Sequence, residues 1–103
     1  MADYMKMIAQ AQQMQERLQE IQDQLAHQTV VATSGGGMVT VTATGQGQVM
    51  AIKVDRAVIN TDDVEMLEDL LLVAVADAQK KAAELAQEEM KKLTGGLPFK
   101  LPF

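Results

Sequence analysis

The stretch GGGMVTVTATGQGQVMAIKVD, residues Gly35 to Asp55, decides how the rest of the chain is read. Met38 to Thr44 alternates, with Val39, Val41 and Ala43 on one side and Thr40, Thr42 and Thr44 on the other. A period of two belongs to a strand, whose successive side chains point to opposite faces. Val49 to Val54 alternates again, with Met50, Ile52 and Val54 on one side and Lys53 opposite. Gly45-Gln46-Gly47 separates the two runs and reads as a hairpin turn. Just upstream, Thr29 to Thr33 is β-branched apart from Ala32, and Ser34-Gly35-Gly36-Gly37 reads as a flexible turn. Three short strands joined by glycine-rich turns predict an antiparallel meander. The threonines predict that one of its faces is solvated.

On either side the period changes to that of a helix. Met7, Ala11, Met14, Leu18, Ile21 and Leu25 follow alternating spacings of four and three, an a/d seam. Gln, Glu and Arg, all good helix formers, fill the positions between. A helix over Asp3 to His27 would span roughly 35 Å. Beyond the strands, Asp55 to Asn60 is a connector. Thr61 or Asp62 is the expected cap of a second helix, with Asp63 and Glu65 in the first turn, where carboxylates favour the positive end. Its pattern runs to about Leu93 and stops at Thr94-Gly95-Gly96. Such a helix would be roughly 48 Å long, against about 23 Å for a strand of seven residues. Either it breaks or its end projects past the sheet. The expected class is α+β, with one domain over residues 1–96. The tail Leu97-Pro98-Phe99-Lys100-Leu101-Pro102-Phe103 cannot continue a helix and is expected to be mobile over residues 97–103.

Leu70 to Ala76 is apolar all round the second helix. A helix with one wet face is not written this way. One three-stranded sheet covers only one side, so a second copy of the chain is expected to cover the rest. Met14, Leu18, Ile21, Leu70, Leu71 and Val73 are the expected core and dimer residues. The alternative is that the two helices pack on each other within one monomer.

Composition narrows the function. The 103 residues contain no cysteine, which removes disulfides, thiolate nucleophiles and thiolate zinc sites and suits a reducing compartment. No apolar run approaches the roughly 20 residues of a membrane span, and a cytoplasmic protein with no membrane role is expected. Tyr4, Phe99 and Phe103 are the only aromatics, all near the ends, so base-stacking platforms on the strands are not expected. The net charge of −5 argues against a nucleic-acid partner on composition alone.

The search for a reaction centre yields little. His27, the single histidine, falls at the end of the first helix, where it suits the negative pole. Gly45-Gln46-Gly47 begins like a dinucleotide fingerprint but leads into a strand, and Gly35-Gly36-Gly37 lacks the Lys-Ser/Thr of a phosphate loop. Asp62, Asp63, Glu65, Glu68 and Asp69 read as ordinary acids at a helix start rather than a cation site. No catalytic residue, metal ligand or cofactor site is expected. Lys80-Lys81 and Lys91-Lys92 lie eleven residues apart, close to three turns, and so emerge on the same side of the helix. They form either a phosphate-contacting stripe or a salt-bridge lattice with Glu84 and Glu88, the latter i,i+4 to Lys92.

The Gly35–Asp55 stretch, followed by DVEMLEDLLLVAVADAQKKAAE (Asp63 to Glu84) and KKLTGG (Lys91 to Gly96), resembles the YbaB/EbfC family of bacterial nucleoid-associated proteins. KMIAQAQQMQERLQEIQDQL (Lys6 to Leu25) is similar to that family's first helix. The resemblance covers nearly the whole chain. It implies a non-enzymatic homodimer whose projecting helices form tweezer-like arms. It also implies binding of duplex DNA with little or modest sequence preference, and roles in nucleoid organisation, gene regulation or recombination and repair. Charge placement matters more than net charge, so Lys80, Lys81, Lys91 and Lys92, joined by Lys6 and Arg17, are the expected phosphate contacts. The competing expectation is a module that grips a replication or recombination protein, with weak or indirect DNA binding.

Overall fold

The computed structural model describes residues 2–94, in the order α1 (Ala2–His27), β1 (Thr29–Ser34), β2 (Val39–Thr44), β3 (Val49–Val54) and α2 (Val64–Thr94). The architecture is α+β, and the sheet is an antiparallel meander in the order β1-β2-β3. The expected tail lies outside the described residues. Short 3-10 turns, Gly35–Gly37 and Arg56–Val58, link β1 to β2 and β3 to α2. All three glycines of the first turn have positive φ, a region that costs a Cβ-bearing residue strain. Ser34, expected in that turn, instead ends β1 and is buried.

Register explains which side is core. Val30 pairs with Ala43, Ala32 with Val41 and Ser34 with Val39, which places all six on one face. Ala32, Val39, Val41 and Ala43 are buried there against Ala74 and Ala78 of α2. Alanines four residues apart form a smooth ridge along a helix, and they let α2 approach the sheet closely. Leu67, Leu70, Leu71 and Val75 pack around this centre. Ser34 Oγ donates to the backbone carbonyl of Leu70 at 2.6 Å, which ties the end of β1 to the first half of α2.

Two expectations change, and one alternative is decided. Met50 does not share a face with Ile52 and Val54 in simple alternation. Thr42 pairs with Ala51 while Ala43 pairs with Val49, so Met50 is the extra residue of a bulge. The cap of α2 is neither Thr61 nor Asp62: Asp63 Oδ1 accepts from the amide of Met66 at 3.2 Å. The second helix does not break. It runs unbroken for 31 residues, roughly 47 Å, and projects past the sheet, so the molecule measures 73 × 24 × 16 Å.

Candidate nucleic-acid interface

The two helices meet at the turn between β2 and β3. The Gly45 amide donates to the Leu25 carbonyl at 2.9 Å and to the Gln28 carbonyl at 3.0 Å. Leu25 is buried beneath this turn. Three glutamines bind the junction together. Gln46 Nε2 donates to the Gln22 carbonyl at 3.2 Å, and Gln79 Nε2 donates to the Gly47 carbonyl at 3.3 Å. Gln22 and Leu25 of α1 share an open cleft with Ala83 and Ala86 of α2. From this root the seam of α1 grades outward. Ile21 is buried, Leu18 and Met14 are half-buried, and Ala11 and Met7 are exposed, as are Ile8, Met5 and Tyr4 beside the seam. The heptad seam is thus partnered only near the sheet.

The six basic residues read from the sequence all lie on α1 or α2 and are all exposed. They are not equally free. Lys6, Arg17 and Lys80 make no ion pair among the described residues, whereas Lys81 sits 3.6 Å from Asp77 and donates to the Val31 carbonyl on β1 at 3.1 Å. Lys92 reaches Glu89 at 3.2 Å, an i,i+3 pair in place of the expected pairing with Glu88. Lys80 and Lys91 lie on one continuous helix, so the spacing of about three turns read from the sequence keeps them on the same side of it.

The apolar turns of α2 are only half covered. Leu70 and Leu71 are half-buried, but Leu72 is 69% and Val73 57% exposed. Ile52 on β3 is 47% exposed, although it pairs with buried Val41 and so belongs to the core face. Helix width is the cause. A helix about 10 Å across cannot blanket three strands spaced about 4.8 Å apart, and α2 sits on β1 and β2. Sequence reasoning named Leu70, Leu71 and Val73 as core and dimer residues and did not single out Ile52 or Leu72, the more exposed apolar positions. The alternation around Ile52, set against the width of one helix, was the available signal.

Other sites resolve simply. His27 is exposed and its Nδ1 donates to the Asp23 carbonyl at 2.8 Å, within the last turn of α1. Among the described residues no group of three His, Cys, Asp or Glu side chains could hold a metal ion. Among the same residues no helix is long and apolar enough to cross a membrane.

Comparison with known proteins agrees with this geometry. The chain is 52% identical over 103 residues to a nucleoid-associated protein of Gemmatimonas aurantiaca, covering 98% of this chain and 99% of the relative. It is 55% identical over 97 residues to a nucleoid-associated protein of Thermodesulfovibrio yellowstonii, covering 94% of this chain and 83% of the relative. The fold matches the crystal structure of an uncharacterized protein from Helicobacter pylori with a TM-score of 0.78 at 21% identity, covering 86% of this chain and 94% of the other. The model of the YbaB/EbfC DNA-binding family matches residues 1–97. This chain therefore belongs to the YbaB/EbfC DNA-binding family.

Proposed function

We propose that the protein is a nucleoid-associated factor that binds duplex DNA as a homodimer with little or modest sequence preference. It acts in the cytoplasm on the nucleoid, in DNA organisation, gene expression or recombination and repair. The observation that carries this reading is the family match over residues 1–97. The dimer rests on the uncovered apolar surface of Leu72, Val73 and Ile52, which a second copy buries most simply. In the dimer the paired projecting helices act as arms, and Lys6, Arg17, Lys80, Lys81, Lys91 and Lys92 neutralise phosphates. Chemistry at the site is not part of this function, and no cofactor is required.

Titrating labelled duplex at several salt concentrations tests the reading. The logarithm of affinity should fall linearly with the logarithm of salt, with a slope of about −0.9 per phosphate contacted. Absence of binding at low salt overturns it.

One feature favours a second reading. Tyr4, Met5, Met7 and Ile8 expose an apolar tip on α1, which suits a protein partner such as a recombination or replication factor. Retention of such a partner after nuclease treatment, beside poor binding to purified DNA, would select it.

A further inference from the structure

The apolar stripe of α1 loses its cover partway along. Leu25 and Ile21 are buried and Leu18 and Met14 half-buried, whereas Ala11, Ile8, Met7 and Tyr4 are exposed. The last four stand at i, i+3, i+4 and i+7 and so share one continuous helix face. The existing cover comes from α2, which contacts α1. Both helices line the same cleft, α1 through Gln22 and Leu25 and α2 through Ala83 and Ala86. Met14 lies eleven residues outward from Leu25, and Leu93 ten residues outward from Ala83, roughly 15–16 Å in each case. Leu85, Met90 and Leu93 are half-buried like Met14 and Leu18. Cover on α1 thus stops level with the last apolar residue of α2, while α1 runs on to Ala2, about three turns further.

The sequence that follows α2 has the chemistry to continue that cover. Leu97-Pro98-Phe99-Lys100-Leu101-Pro102-Phe103 repeats Leu-Pro-Phe on either side of one lysine and holds both phenylalanines of the chain. Proline does not extend a helix but stiffens an extended strand of chain. In that form the two units are roughly 12 Å apart, close to the roughly 11 Å rise between Ala11 and Tyr4. We propose that residues 97–103 dock on the Tyr4, Met7, Ile8 and Ala11 face of their own chain, one Leu-Pro-Phe unit near Ala11 and the other near Tyr4. α2 ends pointing outward along α1, and Gly95-Gly96 supplies the freedom to turn onto the stripe. A segment tethered so close has an effective concentration of about millimolar, which favours it over a second copy at micromolar strength. The docked segment covers the tip that a protein partner would otherwise meet. It also keeps Lys6 on an ordered helix, since an unsupported helix end of this length is marginal in water. The inference does not depend on the DNA-binding reading.

Tyr4 is the only tyrosine and the chain has no tryptophan, so intrinsic fluorescence reports on this face alone. The full chain is compared with one ending at Gly96. Removing residues 97–103 should raise acrylamide quenching of Tyr4 at least two-fold. It should also speed amide exchange over residues 7–13 at least ten-fold, with residues 18–25 unchanged. Equal quenching and exchange in the two chains overturns the proposal. Quenching that rises only on dilution of the full chain also overturns it and assigns the face to a second copy. A disulfide provides a readout that keeps residues 97–103 in place. The chain has no cysteine, so Ala11→Cys combined with Lys100→Cys should close a bridge within one chain on mild oxidation, leaving monomer mass on a non-reducing gel. No bridge, or a bridge only between two chains, overturns the proposal.

Discussion

The amide of Gly45 donates to the carbonyl of Leu25 at 2.9 Å, and a Cβ added at Gly45 would stand 2.8 Å from that same oxygen. It would also meet Leu25 Cδ2 at 2.9 Å. Backbone therefore lies against backbone where α1 leaves the sheet, and only glycine fits. This contact joins the end of α1 to the turn between β2 and β3.

Gly45→Ala is expected to destabilise the fold by about 1–3 kcal/mol, the usual cost of overpacking a close contact. The obstructing atom is a carbonyl oxygen of the chain and cannot rotate aside. Chemical denaturation of the variant measures the loss. Gly36→Ala makes a useful contrast, because no atom lies within 4 Å of a Cβ there and its cost comes from positive φ alone.

Ser34→Ala removes the hydroxyl that reaches the Leu70 carbonyl at 2.6 Å. The loss should be about 1 kcal/mol, the net worth of one intramolecular hydrogen bond. Thermal melting at fixed protein concentration checks it. Ser34→Val should cost more, since the added methyl group enters a site already packed.

Leu72→Glu places a carboxylate in the apolar surface assigned to the partner copy. Leu72 is 69% exposed in the single chain, so the change should barely alter the packing within one protomer. It should convert the dimer to monomer at micromolar concentration, and the melting temperature should lose its dependence on concentration. Sedimentation equilibrium distinguishes this from simple unfolding.

Charge reversal along the arm should not be uniform. Lys80→Glu is expected to lower duplex affinity for all sequences similarly and to reduce the salt slope by about one. Lys92→Glu should do less, because Glu89 already partners that ammonium at 3.2 Å. Binding titrations on two unrelated duplexes, each at several salt concentrations, separate the two outcomes.

Most of the architecture was legible because each periodicity had a single physical cause. The alternation from Val39 to Thr44 is a sheet with one face against a helix. The seam from Met14 to Leu25 is a helix whose root is covered. What the sequence left open depends on spatial relations. The bulge at Met50 arises where Ala43 pairs with Val49, and register is a property of two strands together. Whether α2 would break was open because its length exceeds the sheet, and the structure answers with projection rather than a kink. Leu70 to Ala76 signalled a demand for cover without saying which side α2 itself satisfies. Ala74 turns inward, whereas Leu72 and Val73 are left exposed. The basic residues were legible as a spacing, but the Lys81 contacts with Asp77 and the Val31 carbonyl come from the tertiary fold.

Sedimentation velocity of labelled duplex with the purified chain, at low and at high salt, shows whether a dimer holds DNA through charge. The expected result is a dimer in the absence of DNA, a complex containing two chains, and its dissociation as salt rises. A monomer at micromolar concentration that leaves the duplex sedimenting alone at low salt would contradict it.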